Sequence, residues 1–148
     1  MKLARSFSAT TVAGALFLGA CSGDNILTIE DLVGTWNAQS LTFAATGPLP
    51  ALDLVAIGGS FTITLQADGS YTQVTNIPGA PVDTENGTLV LTNATETTAT
   101  ATLTSPGEAD VFEIEFLGNT ITLSGQAAHP ADPTGATQTS VTAVLIRQ

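Results

Sequence analysis

The sequence predicts an all-β domain, a small antiparallel up-and-down barrel of about eight strands preceded by a short helical turn. Beyond residue 34, the chain is rich in threonine and aliphatic residues, and polar residues alternate with apolar ones. Turn residues recur at short intervals, which is typical of strands joined by hairpins. No stretch has the length and helical period that a crossover between parallel strands would need.

The helical turn is predicted at residues 27–34, which read Leu-Thr-Ile-Glu-Asp-Leu-Val-Gly. Thr28 is a favourable N-cap, and Asp31 follows three residues later, close to the capping-box pattern. Leu27 and Leu32 stand at the positions of a hydrophobic staple, and Gly34 provides a stop. One or two turns of helix are therefore expected before the first strand.

Eight strands are predicted to follow this turn. In residues 60–66, 112–116 and 120–124, apolar and polar residues alternate. One buried face and one solvated face are typical of antiparallel sheets. The predicted strands span residues 35–44, 60–66, 70–76, 87–93, 97–104, 111–117, 119–125 and 139–147.

The links between these strands favour a closed barrel. Residues 67–70 (Ala-Asp-Gly-Ser) and 117–120 (Leu-Gly-Asn-Thr) predict tight hairpins, and the acidic segment 83–87 is interpreted as a turn. Only residues 45–59 and 126–138 form long links. A barrel of sequential neighbours leaves no sheet edge exposed, whereas the alternative, an immunoglobulin-like sandwich, needs Greek-key crossings.

The first 21 residues carry the features of an export signal. Lys2 and Arg5 precede an apolar stretch at residues 11–20 that is too short to span a bilayer. The sequence Leu-Gly-Ala-Cys that ends at Cys21 resembles the lipobox of bacterial lipoproteins. This resemblance implies a signal peptide at residues 1–20, lipid such as palmitate on Cys21, a tether at residues 21–26 and a folded domain at 27–148.

The predicted lipid on Cys21 would anchor the protein to a membrane of the bacterial cell envelope. Ser22 follows the cysteine, which resembles the sorting pattern for the outer membrane; the sequence does not indicate whether the periplasmic or the surface side is meant. Cys21 is the only cysteine, so an intramolecular disulfide is impossible.

The charge of the mature chain is strongly negative. All 13 acidic residues lie beyond Cys21 and Arg147 is the only basic one there, giving a formal charge of −12. Nucleic acid binding depends on clustered Lys or Arg and is therefore excluded as a function.

Three short motifs of the domain, taken in order, resemble those of small lipocalin-like domains in bacterial lipoproteins. They are Gly34-Thr35-Trp36 after the helical turn, Asp68-Gly69-Ser70-Tyr71 in a hairpin, and Leu145-Ile146-Arg147 on the last strand. The resemblance implies a lipocalin-like barrel that can bind a small apolar molecule.

Few residues suggest catalysis, so the sequence predicts no enzyme, no cofactor and no metal. His129, the only histidine, could be a general base oriented by Asp132, but a solvated loop residue is the favoured interpretation. Glu113 and Glu115 point the same way from one strand, with Asp110 nearby, and could form half of a calcium or glycosidase site. A charged outer face is the simpler explanation of this pair.

The residues expected inside the barrel form either a filled core or the wall of a ligand pocket. In the first case the protein is a structural or protein-interaction module of the envelope; in the second it binds a small apolar ligand. An apolar cavity above about 300 Å³ would favour the ligand, with the loop at 45–59 as its lid. The candidate ligand-binding residues are Phe61, Ile63, Phe112, Ile114 and Phe116.

The last strand predicts a structural cap. Arg147 is in phase with Val141, Ala143 and Leu145, so alternation places it on the inward face of the barrel. Closing the barrel brings this strand beside Trp36 in the first strand. We therefore expect the guanidinium to stack on the indole, as a basic residue does in the lipocalins that the chain resembles, unless Arg147 is a solvated terminal residue.

Overall fold

A computed structural model describes residues 25–148; the predicted signal peptide and Cys21 lie outside this part of the chain. The described chain contains one turn of helix and nine strands. They are α1 (Ile29–Leu32), β1 (Gly34–Phe43), β2 (Leu52–Asp53), β3 (Ser60–Leu65), β4 (Ser70–Asn76), β5 (Asp83–Thr92), β6 (Thr98–Ser105), β7 (Glu108–Leu117), β8 (Thr120–Ala128) and β9 (Gln138–Arg147).

Eight of the strands form a closed antiparallel barrel. Each of β3 to β8 pairs with the next strand in sequence, and β1 pairs with both β3 and β9. The register between β1 and β9 runs from Trp36 opposite Arg147 to Phe43 opposite Val141. The predicted up-and-down barrel is therefore confirmed, and the sandwich is excluded because the first and last barrel strands are hydrogen-bonded neighbours.

The ninth strand, β2, lies outside the barrel and belongs to the long link after β1. Pairing between β1 and β3 ends at Asn37 opposite Thr62. Farther along β1, Thr42 and Phe43 pair with β2 instead. This second partner was not expected from the sequence, because two residues of strand are too few to show alternation.

The helical turn forms as predicted and lies against the end of the barrel where β1 begins. Asp31 Oδ2 accepts hydrogen bonds from the Thr28 backbone N–H and hydroxyl, both at 2.8 Å. These bonds lower the pKa of Asp31. Leu27 and Leu32 are buried, and the Leu27 N–H donates to the Thr95 carbonyl between β5 and β6 at 2.6 Å. We call this end of the barrel the closed end, and the opposite end, where the two long links lie, the open end.

The interpretation of residues 83–87 as a turn is wrong. These residues are the first half of β5 and pair with β4, from Asp83 opposite Thr75 to Gly87 opposite Tyr71. The glycine serves close packing, because a Cβ there would lie 2.2 Å from the Thr104 carbonyl oxygen and 2.7 Å from the Tyr71 ring. The strands β7 and β8 also extend three residues beyond their predicted open-end limits.

Within residues 25–148, no helix is long and apolar enough to cross a membrane.

Candidate ligand-binding site

The closed end of the barrel is filled and carries the arginine–tryptophan contact. The Arg147 guanidinium carbon lies 4.5 Å from the centre of the Trp36 ring. The indole is 1% exposed, and its N–H donates to the Leu32 carbonyl at 2.8 Å. Phe116 packs edge-on against the same ring, with 6.3 Å between ring centres. A space of about 30 Å³ lies on the barrel side of Trp36, lined by apolar residues such as Leu32 and Ile114.

The helical turn and β1 both contribute to the binding of Arg147. Its Nη2 donates a hydrogen bond to the Asp31 backbone carbonyl, and its aliphatic stem lies over Gly34. Gly34 has a φ of +139°, a conformation that L side chains rarely adopt, so a glycine is needed where the helical turn enters β1. Arg147 therefore holds the turn, the first strand and the last strand together.

The open half of the barrel encloses a cavity of about 170 Å³. Most of its wall is apolar, and its polar groups come from β4, β5 and β7. The apolar wall consists of Leu41, Phe43, Leu54, Phe61, Ile63, Ile77, Leu103, Phe112, Leu123, Ala127, Pro130, Val141 and Ala143; the remaining lining residues are Tyr71, Gln73, Thr75, Glu85 and Asp110.

The structure divides the five predicted ligand-binding residues between the two ends of the barrel. Phe61, Ile63 and Phe112 line the cavity. Ile114 faces the small space beside Trp36, and Phe116 contacts the indole itself. The predicted inward face of β7 is thus correct, but only its open-end half can contact a molecule in the cavity.

The cavity size restricts the ligand. A volume of 170 Å³ is below the roughly 300 Å³ of ordinary small-molecule pockets, so the cavity does not meet the size expected above for a ligand pocket. It exceeds the roughly 150 Å³ of an apolar cavity that accommodates a benzene molecule. A single substituted ring is therefore the appropriate size, and a long acyl chain is too large.

The first long link closes the cavity from above with Leu54. This side chain is 1% exposed, and its backbone N–H donates to the Leu41 carbonyl at 2.8 Å. Asp53 Oδ1 accepts the backbone N–H of Val55 at 3.0 Å and stabilises the turn beyond. Ile57, by contrast, is 49% exposed. Of the apolar residues in this link, Leu54 is the one that covers the cavity.

His129 is buried, so the interpretation of it as a solvated loop residue is wrong. Its exposed fraction is 1%, and its ring packs on Phe43 with 6.0 Å between ring centres. Nδ1 accepts the Ala131 N–H at 3.2 Å, so Nε2 carries the proton and donates to the Pro50 carbonyl at 3.0 Å. The ring therefore joins the two long links at the open end.

Asp132 does not orient His129, as a catalytic pair would require. Its carboxylate instead accepts hydrogen bonds from the backbone N–H groups of Thr137, at 2.8 Å, and Thr134, at 2.9 Å. Its bonds with Thr137 and Thr134 hold the pKa of Asp132 well below its usual range. The carboxylate thus organises its own loop.

Tyr71, Glu85 and Asp110 form the polar side of the cavity. The Tyr71 hydroxyl donates to Glu85 Oε1 at 2.8 Å, and the tyrosine is 3% exposed. Burial raises the pKa of Tyr71 and the bond to Glu85 raises it further, so the phenol stays protonated. Burial also raises the pKa of Asp110, with smaller contributions from the charges of Glu108 and Glu85.

This raised pKa predicts that Asp110→Asn stabilises the protein at neutral pH. Folding disfavours the ionised form of the Asp110 carboxyl group. The wild-type free energy of unfolding is therefore unaffected by this group below pH 3.8 and falls as the pH rises through the folded-state pKa. We expect the variant to melt a few degrees above wild type at pH 7 and together with it at pH 3. Thermal denaturation at both pH values tests this, with Glu115→Gln as an exposed control on the same strand. Equal melting temperatures at pH 7 would contradict it.

The remaining acidic candidates lie on the outside of the barrel. Glu113 and Glu115 are exposed, and Glu113 accepts a hydrogen bond from the Thr100 hydroxyl at 3.1 Å. In the described part of the chain, no group of three or more histidine, cysteine, aspartate or glutamate residues is arranged to hold a metal ion.

The chain matches no protein-family model, and no curated protein or solved structure is detectably similar to it. Support for a function therefore comes from the barrel and from the sequence motifs of the chain.

Proposed function

We propose that this protein is a lipoprotein of the bacterial cell envelope, anchored through Cys21, whose lipocalin-like barrel binds one small apolar molecule. The observation that carries the binding proposal is the cavity of about 170 Å³ under Leu54. Thirteen of its 18 lining residues are apolar. Few polar groups in a mostly apolar concave wall are typical of ligand sites. The anchoring proposal depends on the lipobox-like sequence.

The division of the barrel also supports binding over a purely structural role. Packed side chains at the closed end stabilise the fold, whereas a cavity in a core weakens it by lost contacts. A barrel serving only as a structural module could be filled throughout by larger residues at Ala127 or Ala143, which both line the cavity.

Binding of benzyl alcohol tests this function directly. The full chain with Cys21→Ser is suitable, because it lacks the lipid that would itself absorb apolar probes. Calorimetric titration should give saturable binding with a Kd on the order of 0.1–1 mM, as expected for about eight buried heavy atoms.

A matched pair of variants locates the binding. Ala127→Leu adds a larger side chain to the cavity wall and should weaken binding at least about ten-fold; Ala128→Leu, exposed on the next position of β8, should leave it unchanged. Absence of saturable binding to the parent chain would instead favour the structural or protein-interaction module.

A further inference from the structure

We propose that the cavity selects small molecules that join an apolar body of one ring to a positively charged amine. This proposal rests on the proposed function, because it names the class of ligand that the same cavity would take. It derives from the positions of two carboxylates on the cavity wall and from the absence, among residues 25–148, of a lysine or arginine near them.

Two inward-facing carboxylates line a mostly apolar space. Glu85 is on β5, Asp110 is on β7, and both contribute to the wall of the cavity. Interior positions of a small barrel are normally filled by apolar side chains, because a buried charge without a partner is unfavourable. The raised pKa of Asp110 has burial as its largest cause and agrees with such a position.

Residues 25–148 supply no cation for these carboxylates. Among residues 25–148, Arg147 is the only lysine or arginine, and it stacks on Trp36 at the closed end. His129 uses both of its ring nitrogens to hold backbone groups of the two long links. A bound ammonium group would therefore be the partner that the fold itself does not provide.

Tyr71 has a positioning role in this site. Its hydroxyl proton is donated to Glu85 Oε1, so the phenol orients the carboxylate from the side. Gly87 leaves space for this arrangement, because a Cβ there would lie 2.7 Å from the tyrosine hydroxyl oxygen. The Glu85 carboxylate is thus held as a hydrogen-bond acceptor, which suits an ammonium donor and disfavours a carboxylate ligand.

The overall charge favours the same class of ligand. A mature chain of 13 acidic residues and one basic residue has a negative potential, which a cleft with apolar walls concentrates. Cations would be attracted to the open end and anions repelled. The apolar remainder of the wall then requires that the cation carry an apolar group about the size of one ring.

The test compares three probes of nearly equal size: benzylammonium, benzyl alcohol and benzoate. Each is titrated calorimetrically into the full chain with Cys21→Ser at pH 7. We expect benzylammonium to bind at least about ten-fold more tightly than benzyl alcohol, and benzoate to bind more weakly than either.

Variants then separate a local effect from a general effect of negative charge. Asp110→Asn and Glu85→Gln each remove one carboxylate from the wall, and each should reduce the preference for benzylammonium to within about three-fold of benzyl alcohol. Glu115→Gln removes the same charge from the exposed outer face of β7 and should leave the preference unchanged.

The possible failures are distinguishable. Equal binding of benzylammonium and benzyl alcohol would overturn the amine proposal and leave the proposed function intact. A preference that Glu115→Gln reduces as much as Asp110→Asn would also overturn it, because surface charge would then be responsible. Binding of none of the three probes would overturn both proposals.

Discussion

The Cys21→Ser variant should move the mature protein from the membrane fraction to the soluble fraction and abolish its labelling by palmitate. The proposed lipid attaches to the thiol of Cys21, and serine cannot replace that nucleophile. The expected effect is nearly complete, because the sequence beyond Cys21 contains no apolar stretch of about 20 residues. Fractionation with metabolic labelling measures both outcomes.

The matched control for this experiment is Ser22→Ala, which changes the adjacent residue and keeps the thiol. It should remain in the membrane fraction and retain its label. A Cys21→Ser protein that sediments with membranes after its signal peptide has been removed would contradict anchoring through this residue.

The Arg147→Ala variant should lower the melting temperature by about 5–10 °C. A partly desolvated cation–π contact contributes about 1–2 kcal/mol, and the alanine also loses the bond to the Asp31 carbonyl and the packing of the stem on Gly34. Because Trp36 is the only tryptophan, its fluorescence emission should shift as the ring loses its cover. Thermal denaturation and emission spectra test both effects.

A second substitution separates the charge of Arg147 from its shape. Arg147→Lys keeps the charge but loses the planar guanidinium, so it should recover only part of the lost stability. Gln148→Ala is the control, since the exposed neighbour uses its backbone N–H, not its side chain, to bond the Thr35 carbonyl. If Arg147→Ala melted and fluoresced like wild type, the stacking contact would contribute nothing to stability.

The barrel could be predicted from the sequence because its signals are local. Alternation in β3, β7 and β8 defines one inward face, and hairpin residues such as Asp68-Gly69 join neighbouring strands. The stacking of Arg147 on Trp36 then follows from closure, which makes the first and last strands neighbours in register.

The polar side of the cavity could not be predicted in the same way. Glu85 and Asp110 occupy inward positions, where a polar residue interrupts the pattern that identifies a strand. For this reason the sequence predicts a turn in the first half of β5 and a strand that starts only at residue 111 for β7. Alternation continued across the polar residues could have placed both carboxylates inside the barrel. Residues 85, 87, 89 and 91 share one face of β5, and residues 110, 112 and 114 share one face of β7.

The burial of His129 also could not be predicted from the residues around it. Its two partners are the Ala131 N–H in its own loop and the Pro50 carbonyl, which is 79 residues away in sequence. Proline, alanine and aspartate around the histidine are typical of exposed loops. Only the approach of the first long link at the open end removes the ring from solvent.

The placement of the helical turn determines how the anchored barrel would be oriented. Leu27 and α1 lie at the closed end, and five residues lie between Cys21 and Leu27. The six Cα-to-Cα steps from Cys21 to Leu27 reach at most about 20 Å, so a lipid on Cys21 would keep the closed end near the bilayer surface. The open end, with Leu54 and the cavity beneath it, would then point away from the membrane. A ligand would enter from the aqueous side and need not first partition into the lipid.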